Sequence, residues 1–561
     1  MNKKKIPIGI VDFKDLIDNG YYYVDKTLLI QDVLESGKVV LLPRPRRFGK
    51  TLNISMLRYF FERSEQKNDY LFFDTEIWKN EVYRALQGQF PVIYITFKEI
   101  EELTWDVCYD KFAIILYKEF DRHKYLLDGE LESYEKEFFL RIMERRASLA
   151  ELETSLQFLA GLLHKHYKKK PFVLLDEYDV PIQAAYLHGY YPEAIHFLKK
   201  LLSAVLKDEN EIEKGIVTGI LTLAKAGIFT GLNNLDIYNL TDLRISDKFG
   251  FTHEEVSRLL THYELEPHAK AIAEWYNGYT FGRKRELFNP WSVLNCIKND
   301  GSLKTYWANS SNNELVKQLI GRASIAAKNE LESLLNGTGV THQIEESFTL
   351  TDLKDRSDLL WSLLLFTGYI TYSDYEINSK GKIECILKIP NAEITSLYSD
   401  LIATIFQDSI IGGQVENLLE ALTTGDTEIF AKLLESFVIN SMSSFDITSD
   451  EPEKSYHMFI LGLLIALRDT YEVKSNKESG LGRYDIMIIP RKNNKPGIVL
   501  EFKVVRKGET VEIAAKNALE QITDKKYIQE LRDRSVTSII AYGIGFEGKQ
   551  LCIKSQIIAT L

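Results

Sequence analysis

The chain has 561 residues, with 69 Lys and Arg against 80 Asp and Glu, a net charge of −11. That balance excludes a chain that coats nucleic acid along its whole surface, although not one with a local basic site. Apolar content of 45% and charged content of 27% are those of a soluble globular protein, and the length predicts roughly two to four domains.

Cys108, Cys296, Cys385 and Cys552 lie far apart, without the spacing of a zinc site or a disulfide framework. Pro7, Gly9 and Asp12 interrupt the N-terminal stretch before any signal-like apolar run. The apolar runs Leu359 to Ile370 and Phe459 to Leu467 are too short to span a bilayer. The expectation is a cytoplasmic protein without membrane partners.

Residues 1–37 read as a lead-in. Tyr21, Tyr22 and Tyr23 precede Val24-Asp25-Lys26-Thr27, where Asp25 or Thr27 is expected to cap a helix through Leu28, Ile30 and Val33. The tyrosines can pack a core or sit over a nucleobase, and both readings stay open.

Val39 to Leu42 reads as a short buried strand, and Leu52, Ile54, Met56, Leu57, Tyr59 and Phe60 as an amphipathic helix. Between them runs Pro43-Arg44-Pro45-Arg46-Arg47-Phe48-Gly49-Lys50-Thr51. Strand, loop, Gly-Lys-Thr and helix form the frame of a phosphate-binding loop. Backbone N–H groups at the helix N-terminus would face the phosphates, with Lys50 reaching the β/γ-phosphates and the Thr51 hydroxyl on Mg²⁺. The usual pattern asks for glycine where Arg44 stands, and two prolines and three arginines make this loop stiff and cationic. We assign Arg44, Arg46, Arg47, Phe48, Gly49, Lys50 and Thr51 to nucleotide binding. The competing reading is a basic turn ahead of a helix.

Pro91 to Phe97, Pro171 to Leu175 and Gly215 to Leu221 read as further strands, with a charged helical stretch over 105–168. Strands alternating with helices predict an α/β fold, a parallel sheet with helices on both faces. Asp176-Glu177 ends the third strand. Asp176 is expected to hold Mg²⁺ with Thr51, and Glu177 to polarise the attacking water as general base. Asp179 reads as structural or as a helix cap. Thr218, at the end of the next strand, is a candidate γ-phosphate sensor, and Lys225 is either a sensor or a surface lysine.

Residues 246–344, with Trp275 to Tyr279 and Phe288 to Ser292, read as a helical lid. In 345–395, the helix Leu359 to Phe366 followed by a hairpin resembles a winged helix. Few arginines favour a clamp on the core over a DNA contact. Residues 396–450 read as a helical linker.

In 451–561, Glu453 precedes a helix over Tyr456 to Leu464, and strands run through Asp485 to Ile489 and Ile498 to Val504. Glu501 and Lys503, two apart, point to one face, with Leu500 and Phe502 on the other. Asp485 on the neighbouring strand can meet Glu501 at one divalent cation, and hard oxygen ligands suit Mg²⁺ or Mn²⁺. The metal would activate water while Lys503 stabilises developing charge. Glu453 is a further candidate ligand, and His457 reads as a packed helix residue. Gln521 and Tyr527 either support the metal site or lie on a solvated helix face.

Taken together, Tyr23-Val24-Asp25-Lys26-Thr27, Arg44 to Thr51, Leu175-Asp176-Glu177-Tyr178-Asp179, Ile228 to Leu235, Trp275 to Tyr279, Gly482-Arg483-Tyr484-Asp485 and Glu501-Phe502-Lys503 resemble a bacterial group. These are the predicted AAA-ATPase-like proteins that carry a C-terminal PD-(D/E)XK nuclease-superfamily domain. The resemblance implies a P-loop NTPase core over 1–245, a restriction-endonuclease-like α/β domain at the C-terminus, ATP binding and hydrolysis, and metal-dependent cutting of DNA. Thr222 and Gly227 depart from the basic and hydroxyl residues of many relatives, so no sensor is assigned there. The leading expectation is an ATP-regulated deoxyribonuclease, with defence against foreign DNA as a candidate role. The alternative is a nucleotide-switched scaffold whose nuclease fold is inactive. DNA against RNA, and ring against monomer, stay open.

Overall fold

In the computed structural model the first expected strand is β1 (Val39–Pro43), buried at all five positions. The structure describes residues 3–207, 211–223, 227–229, 235–282, 285–307, 314–335, 337–398, 414–441, 460, 463–464, 467, 470–475, 478–479, 482–492, 495–506, 508–525, 527–548 and 550–559. The chain divides into two units, residues 1–319 with 339–394 and residues 320–338 with 395–561.

In the first unit, β1 lies in a sheet with β2 (Val92–Thr96), β3 (Phe172–Asp176), β4 (Lys214–Gly219) and β5 (Leu235–Ile237), in the order β2-β3-β4-β1-β5. Every pairing is parallel. β1, β3 and β4 are buried along their whole length. That explains their continuous apolar runs, because a parallel sheet is covered on both faces. β4 separates β1 from β3, and Thr218 is in register with Leu42. The Thr218 hydroxyl is thereby placed between the loop after β1 and the acid ending β3.

Two helices precede the sheet, α1 (Phe13–Asp18) and α2 (Leu29–Glu35). Neither Asp25 nor Thr27 caps α2, whose N-cap position is Leu28. Asp25 Oδ1 instead accepts from the N–H and hydroxyl of Thr27, at 2.8 and 2.6 Å. This local turn satisfies Thr27 before the helix begins and so competes with the cap. The buried Lys26 ammonium donates to Glu255 at 2.7 Å and ties the lead-in to the lid.

After the loop, α3 (Lys50–Phe61) packs against the sheet. The expected helical stretch over 105–168 is α4 (Trp105–Arg122), α5 (Ser133–Met143) and α6 (Leu149–Tyr167). Capping boxes set the starts of α5 (Glu132 with Glu135) and α6 (Ser148 with Glu151). Helices α7 (Val180–His188) and α8 (Tyr191–Lys207) lead into β4.

The lid contains α9 (His253–Tyr263), α10 (Ala269–Tyr276), the hairpin β6 (Tyr279–Phe281)–β7 (Arg285–Leu287) and α11 (Pro290–Lys298). Leu259, Ile272, Tyr276, Phe288 and Val293 form its core. The winged-helix-like segment is β8 (Val340–Ile344), the wholly buried α12 (Leu359–Thr367), β9 (Thr371–Ile377) and β10 (Ile383–Lys388). The expected hairpin gains a third strand from upstream, giving the order β8-β10-β9.

In the second unit, α13 (Gln414–Thr424) and α14 (Thr427–Ser441) precede the sheet of β11 (Tyr471–Ser475), β12 (Ile486–Pro490), β13 (Gly497–Val504), β14 (Ser538–Glu547) and β15 (Gln550–Ala559). Strand order follows the chain, and β13 with β14 is the parallel pair. Ile486, Ile488, Leu500 and Phe502 pack on the α13–α14 side. Met487, Ile489 and Val499 pack with Ile522 of α15 (Val511–Asp524) on the other. Glu501 follows the period-two alternation onto the α15 side.

α15 approaches β14 so closely that a Cβ at Gly543 would stand 2.3 Å from the Ala515 carbonyl oxygen and 2.3 Å from the Leu519 nitrogen. Both neighbours are backbone, so the helix as a whole must shift. Gly543→Ala is expected to cost about 3 kcal/mol, read as a lower unfolding midpoint in urea. An unchanged midpoint would contradict this helix–strand contact.

Candidate active sites

The phosphate loop leaves β1, and Gly49, at φ +85°, turns the chain into α3. Arg47 is also left-handed, at φ +66°. A cavity of about 450 Å³ opens above this turn. Its walls include Arg46 to Asn53 of the loop and α3, Glu177, the lead-in residues Ile10, Tyr22 and Tyr23, and Trp291 of the lid. Lys50 is buried, and its Nζ donates to the carbonyls of Arg44 and Pro45 at 3.1 and 3.0 Å. Burial pushes its pKa down, opposed by Glu177, Asp179 and Asp176.

Asp176 lies below the cavity, fully buried. Its Oδ1 accepts from the Thr218 hydroxyl at 2.7 Å and its Oδ2 from the Thr96 hydroxyl at 3.3 Å. The nearby Thr51 hydroxyl also favours the ionised carboxyl. Burial, and then the charge of Glu177, push this carboxyl up to about 6, against Thr218, Thr51 and Lys50. A buried carboxylate near a cavity-lining hydroxyl is a donor set that suits a hard divalent cation. Glu177 lines the cavity with its backbone at φ +53°, a strained conformation for a non-glycine residue, and its N–H points to the Thr218 hydroxyl at 3.4 Å.

Two assignments are redrawn. Arg44 was expected on the phosphates, but its guanidinium is buried away from the cavity. Nη1 donates to the carbonyls of Pro43 and Tyr238 at 2.6 and 2.7 Å, and the Phe249 and Phe281 rings lie 5.2 and 5.4 Å away. The two carbonyls at the ends of β1 and β5 and the ring faces of the lid side offer a cation more than an open loop does. Phe48 is likewise buried, with Tyr279 and Phe281 at 5.0 and 5.2 Å. It reaches the cavity wall but also wedges the loop into the lid. Asp179, read as structural, accepts from the N–H groups of Ile220 and Leu221 at 3.0 and 2.9 Å and from Gln183 at 2.9 Å. Of the two readings, core packing is seen, since Tyr23 packs edge-on against Phe13, while Tyr22 and Tyr23 also line the cavity. Lys225 lies outside the described residues.

The second constellation is in the other unit. Ile486 pairs with Leu500, which places Asp485, just ahead of β12, opposite Glu501 inside β13. The Asp485 N–H points to Glu501 Oε2 at 3.3 Å, and the Phe502 N–H donates to Asp485 Oδ2 at 2.7 Å. Glu501 is 4% exposed, and Gln521 of α15 donates its amide to Glu501 Oε1 and lies 3.3 Å from the Tyr527 hydroxyl. Gln521 is thus in the cluster and not on a solvated face. Lys503, two positions on in β13, is half-buried on the same strand face. Two adjacent carboxylates, one of them buried, are a hard-oxygen donor set of the kind Mg²⁺ or Mn²⁺ accepts. Glu453 and His457 lie outside the described residues. Among the described residues no three His, Cys, Asp or Glu side chains cluster for a metal, and no helix is long and apolar enough to cross a membrane.

A family model described as Predicted AAA-ATPase matches residues 7–229, and the PD-(D/E)XK nuclease superfamily matches residues 451–556. The chain therefore combines a predicted AAA-ATPase segment with a C-terminal segment of the PD-(D/E)XK nuclease superfamily. A relative from Azotobacter chroococcum mcd 1, described as an uncharacterized protein in the vnfD 5′ region, is 24% identical over 580 residues and covers 100% of both chains. Among solved structures, the ORC2 protein of Aeropyrum pernix, in ADPNP–ADP complexes, is 11% identical, covering 70% of this chain and 97% of that one with a TM-score of 0.25.

Asp176 gives a pH signature. Its folded pKa lies above its ordinary value near 3.8, so ionising it opposes folding. The penalty is absent below about pH 4, grows as pH rises to about 6 and is constant above that. Asp176→Asn is expected to raise the melting temperature more at pH 7.5 than at pH 4.5. Equal shifts at the two pH values would mean that the carboxyl is not held up by its burial.

Proposed function

We propose that the chain binds and hydrolyses ATP at the loop cavity and cuts DNA at the Asp485–Glu501 site in the presence of Mg²⁺ or Mn²⁺, with nucleotide occupancy governing the cutting. The observation that carries the first half is the buried Asp176 carboxylate at the end of β3, held by the Thr218 hydroxyl, with Lys50, Thr51 and Glu177 together on the cavity wall. In this reading the loop N–H groups ahead of α3 bind the β- and γ-phosphates. Lys50 exchanges the Arg44 and Pro45 carbonyls for phosphate oxygens. Thr51 and Asp176 would hold Mg²⁺, which neutralises charge on the phosphates. Glu177 takes the proton of the attacking water, and Thr218 keeps Asp176 oriented. Tyr22 and Tyr23 form part of the apolar wall for the base.

At the second site Asp485 and Glu501 would hold the divalent cation, which supplies a water of lowered pKa. Gln521 fixes the Glu501 carboxylate, and Lys503 faces the charge that develops on the phosphate. The juxtaposition of Asp485, Glu501 and Gln521 supports this half.

The two halves separate by mutation. Lys50→Ala is expected to weaken binding of a fluorescent ATP analogue at least about tenfold, since it removes a charge-assisted phosphate contact. Glu177→Gln should keep binding and lose turnover by about 10²- to 10⁴-fold. Normal ATP binding by Lys50→Ala would count against the loop assignment. For the nuclease, linear and circular DNA are incubated with Mg²⁺ or Mn²⁺, with and without ATP. Metal-dependent cutting is expected in the wild type and absent in an Asp485→Ala/Lys503→Ala double variant. Equal cutting by the double variant would remove the activity from this site.

A further inference from the structure

We propose that Glu393, which stands outside the cavity, is a positioning residue for nucleotide: it gathers the two tryptophans that hold Arg46 and Arg47 of the phosphate loop. The inference rests on the ATP reading above. Arg46, Arg47 and Trp291 are on the cavity wall, and Glu393 is not. Glu393 acts through the groups it bonds.

Glu393 is fully buried. Its Oε2 accepts from the Ser292 hydroxyl at 2.7 Å, and its Oε1 from the Trp307 N–H at 2.7 Å. The segment that carries it is pinned to the end of α10. There the Asn391 amide donates to the Asn277 carbonyl at 2.7 Å, and a Cβ at Gly278 would stand 2.0 Å from the Pro390 carbonyl oxygen. Ser292 follows Trp291 in the first turn of α11. The Trp291 indole donates to the Tyr306 carbonyl at 3.1 Å, and its ring centroid lies 4.2 Å from the Arg47 guanidinium. The indole of the buried Trp307 donates to the Arg46 carbonyl at 3.3 Å. One carboxyl thus bonds the neighbour of one tryptophan and the backbone of the other, and the two rings reach consecutive residues of the loop.

Packing alone does not ask for an acid here. A glutamine has the same shape, with a carbonyl to accept from Trp307 and an amide to donate to the Ser292 oxygen. What the acid adds is a charge that comes and goes. Burial pushes the carboxyl up to about 7 from its ordinary value near 4.5, against the Trp307 N–H, the Ser292 hydroxyl and the Tyr306 N–H. The titratable groups that face it are Tyr276 of α10, Cys296 of α11 and Tyr306. Burial raises all three, so each is neutral where Glu393 titrates. Lys298 of α11 and Lys304 are exposed, and among the described residues no cation pairs with Glu393.

The folded value lies above the ordinary one, so the neutral carboxyl suits this place and its ionisation opposes it. The penalty is absent below about pH 4.5, grows as pH rises to about 7 and is constant above that. A buried charge without a cation is stabilised by water. Water that enters to reach it separates the carboxyl from Ser292 and Trp307. The tryptophans then loosen their hold on Arg46 and Arg47, and the cavity loses its fit to the phosphates. Nucleotide affinity therefore falls as Glu393 ionises.

The test uses the full chain. The dissociation constant of a fluorescent ATP analogue is measured at pH 6 and pH 8 for wild type, Glu393→Gln and Trp307→Phe. Titration of the analogue and of Asp176 is common to all three and cancels in the comparison. Between the two pH values, wild type is expected to lose at least about threefold more affinity than Glu393→Gln does. The two proteins should agree within about twofold at pH 6, where the carboxyl is neutral, and Glu393→Gln should bind more tightly at pH 8. Trp307→Phe keeps a ring and removes the donor to the Arg46 carbonyl, so its pH dependence should fall to that of Glu393→Gln. Glu393→Gln preserves the shape and the bonds, and carries the test where Trp307→Phe disturbs folding. A Glu393→Gln protein that follows wild type at both pH values, or a folded Trp307→Phe protein with the full wild-type pH dependence, would overturn the inference while the ATP reading stands. A wild type that binds no nucleotide at either pH would overturn both.

Discussion

Burial of Arg44 between β1 and the lid fixes the phosphate loop, and the N-terminal unit is arranged around that contact. Taking a guanidinium out of water costs several kcal/mol unless its donors are satisfied. Nη1 meets two backbone carbonyls, while Nε and Nη2 have no hydrogen-bond partner among the described residues. The remaining compensation comes from the faces of Phe249 and Phe281. Burial lowers the Arg44 pKa only to about 10, so the side chain stays charged at neutral pH. A charge so placed cannot leave without uncovering the Tyr238 carbonyl just beyond β5. Arg44 therefore couples three things that a glycine at this position would leave independent: the end of β1, the end of β5 and the lid hairpin.

The neighbours of Arg44 carry the same constraint forward. Pro45 lies against Gly368, where an added Cβ would stand 3.0 Å from the Pro45 Cβ, so the winged-helix-like segment touches the loop directly. Phe48 fills the space between Tyr279, Phe281 and Gly250. Arg47 occupies a left-handed conformation that costs an ordinary residue about 1–2 kcal/mol. Its stacking on Trp291 is worth up to about 2 kcal/mol where the pair is desolvated. Arg47 is half-buried, so the lid offsets part of the cost of the strained turn. A glycine loop adopts its shape by freedom, whereas this one is held in shape by side chains packed from downstream.

This division explains what was legible in the sequence. β1, α3 and Gly49-Lys50-Thr51 could be read because strand period, helix period and turn chemistry coincide within a short stretch of chain. Asp176-Glu177 could be read because the acids end an apolar run. Arg44 could not, since the carbonyl it serves belongs to Tyr238, 194 residues on. Asp179 could be read as structural but its partners could not, because they are backbone N–H groups of Ile220 and Leu221, which leave no side-chain signature. Asp25 does not cap because a cap and an Asx-type turn use the same residue in the same place, and only the helix start distinguishes them. In the second unit, the two-residue period put Glu501 and Lys503 on one face. Which helix covers that face is a matter of topology, so Gln521 could be named but not placed.

The two sites meet one electrostatic demand by opposite means. At the loop, Asp176 is the more deeply buried acid, and the protein surrounds it with the hydroxyls of Thr51, Thr96 and Thr218. Hydroxyls stabilise a carboxylate less than a cation does, so the carboxyl stays above its ordinary pKa. In the proposed reading, a divalent cation held there would complete the charge balance and draw the proton off, which would link metal binding to pH. At the second site the carboxylates are met by backbone and amide N–H groups, from Asp485, Phe502 and Gln521. Donors of that kind fix the direction in which a carboxylate points. In the proposed reading, the first site would trade a proton for metal as nucleotide arrives, and the second keeps its ligands aimed. The first is therefore built to respond to occupancy, and the second to be ready for substrate.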